Sequence, residues 1–188
     1  MRRDSYLLIV ALTAAVIAGL AIALMHSAEA GNREAEDPPF KYIGAAGCKF
    51  CHQGKAGALI HETWEKTEHA KAFEHLDEAG QKNDRCLVCH TTGFGQTIAA
   101  GVTADKLRGV QCEACHGPGS EYKKISIMQD PEAAAAKGLI MPSEASCKSC
   151  HAADLPKECW AGADGPPRFD FQSARKKTEH RIPEKPGK

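Results

Sequence analysis

Hydrophobic and polar positions are spread unevenly along the chain. Leu7 to Met25 is a run of 19 uncharged residues, preceded by Arg2 and Arg3 and followed by small residues ending Ala28-Glu29-Ala30. A positive start, an apolar run and a small-residue end are the layout of an export signal. A run of this length is also sufficient to cross a bilayer as a helix. Residues 1–30 are therefore read as a signal peptide or, if uncleaved, as an N-terminal membrane anchor. The paired arginines suggest a twin-arginine signal, but no Ser or Thr precedes them, and an unfolded, Sec-type route is the preferred reading.

Residues 31–40 are polar and include Pro38 and Pro39, a composition that suits a linker. Gly57 to Leu76 is rich in Ala, Glu, Lys and Leu and free of proline, which predicts a helix that stops before Gly80. After Pro118, prolines at 131, 142, 156, 166 and 167 restrict the chain to short helical turns joined by loops. No segment sustains apolar-polar alternation, so no substantial β-sheet is predicted. Residues 41–181 form the folded domain in this reading, mostly α, and residues 182–188 a flexible C-terminal tail.

Aromatic residues make up only 6% of the 188, so the side chains alone are thin for a filled core, and something else is expected to fill it. Basic and acidic residues both number 24. That balance gives no basic field for nucleic acid and no strong electrostatic steering of a partner.

The cysteines change the picture. Cys48-Lys49-Phe50-Cys51-His52, Cys86-Leu87-Val88-Cys89-His90, Cys112-Glu113-Ala114-Cys115-His116 and Cys147-Lys148-Ser149-Cys150-His151 share one form. On a helical turn, residues i, i+3 and i+4 share a face, so two thiols reach the two vinyl groups of one porphyrin edge while the imidazole rises to the iron. Each motif is thus a covalent haem c attachment site with its own proximal ligand, His52, His90, His116 or His151. Paired cysteines also make zinc sites or disulfides. A histidine after all four pairs by chance has a probability of about five in a million, which favours haem. Cys159, the ninth cysteine, is read as a buried free thiol beside Trp160, with axial ligation or an intermolecular disulfide as alternatives.

The second axial position decides function. An iron with two protein ligands passes electrons, whereas an open one binds small molecules. Outside the motifs and the export segment, the histidines are His61, His69, His75 and His180, four candidates for four irons. If Gly57 to Leu76 is one helix, His69 and His75 project about 80° and −40° from His61, on a common face that also carries Glu65 and Glu68. Met128 and Met141 are further candidate ligands.

Several stretches resemble the cytochrome c-554 family of tetrahaem cytochromes. They are Gly109 to Ser120 (Gly-Val-Gln-Cys-Glu-Ala-Cys-His-Gly-Pro-Gly-Ser), Trp64 to Ala70 (Trp-Glu-Lys-Thr-Glu-His-Ala), Tyr42-Ile43-Gly44 and Phe169-Asp170-Phe171. The resemblance spans about residues 42–180. It implies a small multihaem cytochrome c domain of short helices and loops wrapped around four covalently attached haems, some stacked in parallel pairs. It also implies His69 as one distal ligand and His180 as the C-terminal one, leaving His61 and His75 as further candidates. Where the family often has a histidine shortly after Gly-Pro-Gly-Ser, this chain has Glu121-Tyr122. Tyrosine can ligate haem iron, but a hydrogen-bonding or packing role is the preferred reading.

The expected activity is electron transfer, with a redox protein or a membrane quinol-linked carrier as partner, in the periplasm or at the outer face of the cytoplasmic membrane. Two rivals follow from the ligand count. One is an enzyme-like cytochrome with an open five-coordinate haem that reacts with nitric oxide or hydroxylamine. The other is an oligomer, a conductive filament in which His180 caps a haem of the next subunit.

Overall fold

The computed structural model describes residues 40–152, 156–160 and 169–180; the export segment, most of the linker and the tail lie outside them. The described residues form eight short α-helices: α1 Ala45–His52, α2 Ile60–Glu65, α3 Asp84–His90, α4 Cys112–His116, α5 Ile125–Met128, α6 Pro131–Ala136, α7 Glu144–Lys148 and α8 Phe171–Thr178. Single 3-10 turns at Ala72–His75, Gly80–Lys82, Ala104–Leu107 and Lys157–Cys159 link them. Among the described residues the only β-type pairing is in isolated bridges, such as Tyr42 with Ile98. The mostly α reading therefore holds. No helix of the described residues is long and apolar enough to cross a membrane.

Local chemistry sets where these helices start. The Asn83 side chain accepts the Arg85 N–H ahead of α3, Asp130 accepts those of Glu132 and Ala133 with Pro131 in the first turn, and Ser143 and Ser146 make a capping box on α7. Isolated helices this short are unstable in water, so tertiary contacts must hold them.

The predicted helix over Gly57 to Leu76 is broken. Ala58 and Leu59 take left-handed backbone at φ 55° and 56°, so α2 begins only at Ile60. Past Glu65 the Thr67 hydroxyl donates to the Trp64 carbonyl and accepts from the Ala70 N–H, which winds the chain into turns. The shared face expected for His61, His69 and His75 does not exist, because the three sit on different elements.

The interior is sparse in large apolar groups. Its largest fully buried side chains are Glu113, Thr92 and Cys86, and the one apolar cluster among the described residues joins Leu76, Cys86 and Cys159. Polar bonds around α4 take over much of the work. Glu113, 1% exposed, accepts the backbone N–H groups of Ile43, Gly44 and Gly119 at 2.6–3.1 Å. Gln111 Oε1 accepts from the Ala45 N–H, while its amide nitrogen donates to the Lys106 and Arg108 carbonyls. The Thr92 hydroxyl accepts from the Gln111 N–H and donates to the Gly109 carbonyl. The block Gly109 to Ser120 thus ties the start of α1 to Thr92 and to the Lys106–Arg108 turn.

Candidate haem-attachment centre

Each Cys-x-x-Cys-His motif begins on a helix: the first on α1, the second on α3, the third filling α4 and the fourth entering on α7. The motifs are distant in sequence but meet in space. The helices carrying the first and third motifs, α1 and α4, pack together, and Cys48 and Cys112 perturb one another's ionisation. Cys89 and Cys150 likewise perturb one another's ionisation, which makes the second and fourth motifs neighbours. Cys115 feels the charges of Cys147 and Cys150, so the third and fourth are also neighbours. The attachment sites therefore run in the order first, third, fourth, second.

These contacts perturb the free thiols. The neighbouring Cys89 thiol holds the Cys150 thiol down to about 7, and Cys150 in turn pushes Cys89 up. Burial pushes Cys115 up to about 11.

Two imidazole pairs lie across from one another. His69 faces the fourth-motif His151 with ring centroids 6.0 Å apart, and His180 faces the third-motif His116 at 5.9 Å. Two imidazoles bound trans to one iron, with metal–nitrogen bonds of about 2 Å each, hold their centroids about 6 Å apart. Both pairs match that spacing. Among the described residues no three His, Cys, Asp or Glu side chains converge as a metal-ligand set. Two facing imidazoles without equatorial partners suit a porphyrin, which supplies the other four nitrogens itself.

Hydrogen bonds orient two of the proximal rings. His116 Nδ1 bonds the Ile140 carbonyl at 3.0 Å, and His90 Nδ1 bonds the Ala72 carbonyl. A carbonyl only accepts, so Nδ1 carries the proton and Nε2 is left as the metal-binding nitrogen. Burial lowers the pKa of His52, His69, His116 and His151, which keeps these imidazoles neutral, the form that binds a metal. The residues present therefore fit haem.

The backbone around His69 is also fixed by close approach. The Val110 N–H donates to the His69 carbonyl at 2.8 Å and the Gly109 N–H to the His90 carbonyl at 3.0 Å. Gly109 sits at φ 84°, and a Cβ there would lie 2.5 Å from the Ala70 carbonyl oxygen. Only glycine allows this approach. Phe169 stacks on His151 at 4.8 Å and an interplanar angle of 14°.

The other candidates fall in different places. His61 is buried on α2, edge-on to Trp64 at 5.3 Å, with Nδ1 unpaired in the protein. His75 is at the surface with Nε2 2.9 Å from the Glu68 carboxylate. Met141 is exposed. Tyr122 is buried and its hydroxyl donates to the Gly117 carbonyl at 2.7 Å, the hydrogen-bonding and packing role read from the sequence. In the Gly117-Pro118-Gly119 loop the backbone passes close to protein: a Cβ on Gly117 would meet the Gly138 carbonyl oxygen at 2.5 Å.

Cys159 departs from expectation. It is buried beside Trp160 as read, but it is not free: a disulfide joins it to Cys86 of the second motif, 73 residues earlier. The same sulfur of Cys86 cannot also hold a thioether to haem. Trp160 lies next to His90 at 6.4 Å and to His151 at 6.3 Å, between the second and fourth motifs.

The chain matches the family model described as cytochrome c554 and c-prime over residues 47–117. It is similar to cytochrome c-554 of Nitrosomonas europaea, 31% identical over 180 residues, covering 80% of this chain and 73% of the relative. Among solved structures it is similar to reduced cytochrome c554 of the same organism, with a TM-score of 0.46 and 26% identity over 74% of this chain and 79% of that one.

Proposed function

The chain belongs to the cytochrome c-554 family and is an electron-transfer cytochrome whose cofactor is haem c, covalently attached at four motifs; we propose that it relays electrons between exported redox enzymes and membrane carriers. Haem supplies one-electron chemistry at iron, and the protein sets how each iron is ligated and how near its neighbours are. Cys48 and Cys51, Cys86 and Cys89, Cys112 and Cys115, and Cys147 and Cys150 hold the porphyrins. His52, His90, His116 and His151 are the proximal ligands.

The observation that carries this reading is the facing of His69 with His151 and of His180 with His116 at close to 6 Å. Irons held between these pairs would have both axial positions filled by protein and would offer no place for a substrate. The contacts from first to third to fourth to second motif support a continuous path for electrons. His180 is reached within its own chain, so the pairing needs no second subunit and does not favour a filament. Of the remaining distal candidates, burial and an unpaired ring nitrogen favour His61 over His75, which lies at the surface against Glu68.

Exchange across the cytoplasmic membrane face requires export, which the Arg2 to Ala30 pattern supports. Its periplasmic position and its carrier partner rest on that pattern and on the electron-transfer reading.

A second reading draws on the surroundings of the second motif. His90 has Trp160, not an imidazole, as its ring neighbour at 6.4 Å. An open sixth position there would bind nitric oxide or hydroxylamine. Film voltammetry of the loaded full chain separates the two. Reversible uptake of four electrons per chain, unchanged by hydroxylamine or nitric oxide, supports the carrier. A catalytic current on adding either would show turnover and overturn it.

A further inference from the structure

Cys86 and Cys159 form the one disulfide among the described residues, and Cys86 is also one of the two thiols of the second haem motif. Cys86 is fully buried and Cys159 nearly so, packed with Leu76, Leu87 and Trp160. The cavity beside them is lined by Cys86, Cys89 and His90 of the motif on one wall and by Pro156, Cys159 and Trp160 on the other. The segment carrying Cys159 therefore lies directly against the thiols and imidazole of the second motif. The remaining motif cysteines are free thiols. The competition falls on Cys86 alone.

We propose that Cys159 is a redox latch on loading of the second haem site. In the oxidised chain the Cys86–Cys159 bond withholds one of the two sulfurs that the second porphyrin needs and pins Trp160 across the pocket. Opening the latch takes two electrons and two protons from an exported dithiol reductant, which becomes a disulfide, and yields two protein thiols. The Cys86 S–H then adds across a haem vinyl group: the sulfur–carbon bond forms, the proton goes to the other vinyl carbon, and no net oxidation occurs. Cys159 is left as a buried free thiol. The inference rests on Cys86 being a haem-attachment residue, as the proposed function has it.

The test uses the full chain exported under haem limitation, in oxidising and in dithiol-supplemented medium. Free thiols are alkylated in denaturant, and tryptic peptides are mapped by mass spectrometry. The expected result is that chains lacking haem on the second motif carry the Cys86–Cys159 crosslinked peptide, and that dithiol removes it. Chains with haem on Cys86 carry alkylated Cys159. Cys159→Ser loses the crosslink and gains occupancy of the second motif in oxidising medium, with the other three motifs unchanged. In oxidising medium, alkylated Cys159 in chains whose second motif is empty, or equal occupancy in wild type and Cys159→Ser, overturns the latch. The wild-type map decides the matter even if the variant fails to fold. No haem on Cys86 in any medium, with haem on the other motifs, contradicts the haem reading of the second motif and sinks both.

Discussion

The rings of His69 and His151 face each other at 6.0 Å, one from a turn after α2 and the other from the end of the last Cys-x-x-Cys-His motif. The backbone bond from Val110 to the His69 carbonyl and the stack of Phe169 on His151 hold the two sides independently. An iron bound between them would have both axial positions filled. His69→Ala should therefore convert one haem in the loaded protein from low to high spin, read by resonance Raman spin-state markers. His75→Ala, which removes a surface contact with Glu68, should leave the spectrum unchanged. A spectral change in the second variant and none in the first would reverse the assignment.

His180 bears on oligomeric state. Because it faces His116 within one chain, His180→Ala should lose a low-spin signal to the same extent at low and high protein concentration. A loss seen only in concentrated wild-type-like assemblies would point to capping between subunits.

Glu113 is the hub of the polar interior. Burial raises its carboxyl pKa, with the N–H groups of Gly119, Ile43 and Gly44 pulling the other way. Glu113→Gln replaces an accepting oxygen with a donor and leaves a buried N–H unpaired. The expected cost is about 1–3 kcal/mol in denaturant unfolding of the loaded chain, with four haems still attached. An unchanged midpoint would show that the network does not hold the start of α1.

Tyr122→Phe removes only the bond to the Gly117 carbonyl. Stability should fall by about 1 kcal/mol and the haem spectrum should not move. A shifted spectrum would indicate that the tyrosine oxygen ligates iron.

The haem motifs were legible because their information is local: Cys, Cys and His at i, i+3 and i+4 occupy one helical face whatever the surroundings. The thin core was legible from composition for a related reason, since few large apolar side chains were available to fill it. The helix over Gly57 to Leu76 was not legible as it stands. Its propensity is helical throughout, but left-handed Ala58 and Leu59 and the Thr67 turn interrupt it. The His69–His151 pair and the Cys86–Cys159 bond join residues far apart in sequence, and no local pattern encodes such partners. Glu113 and Gln111 could have been suspected as polar residues inside the most family-like block, but their partners at Ile43, Gly44 and Ala45 lie across the fold.

Electron paramagnetic resonance of the oxidised, fully loaded chain tests the central claim most directly. At least two low-spin ferric signals of bis-imidazole type should be present, one lost in His69→Ala and the other in His180→Ala. High-spin signals from all four haems, or low-spin signals untouched by both variants, would contradict it.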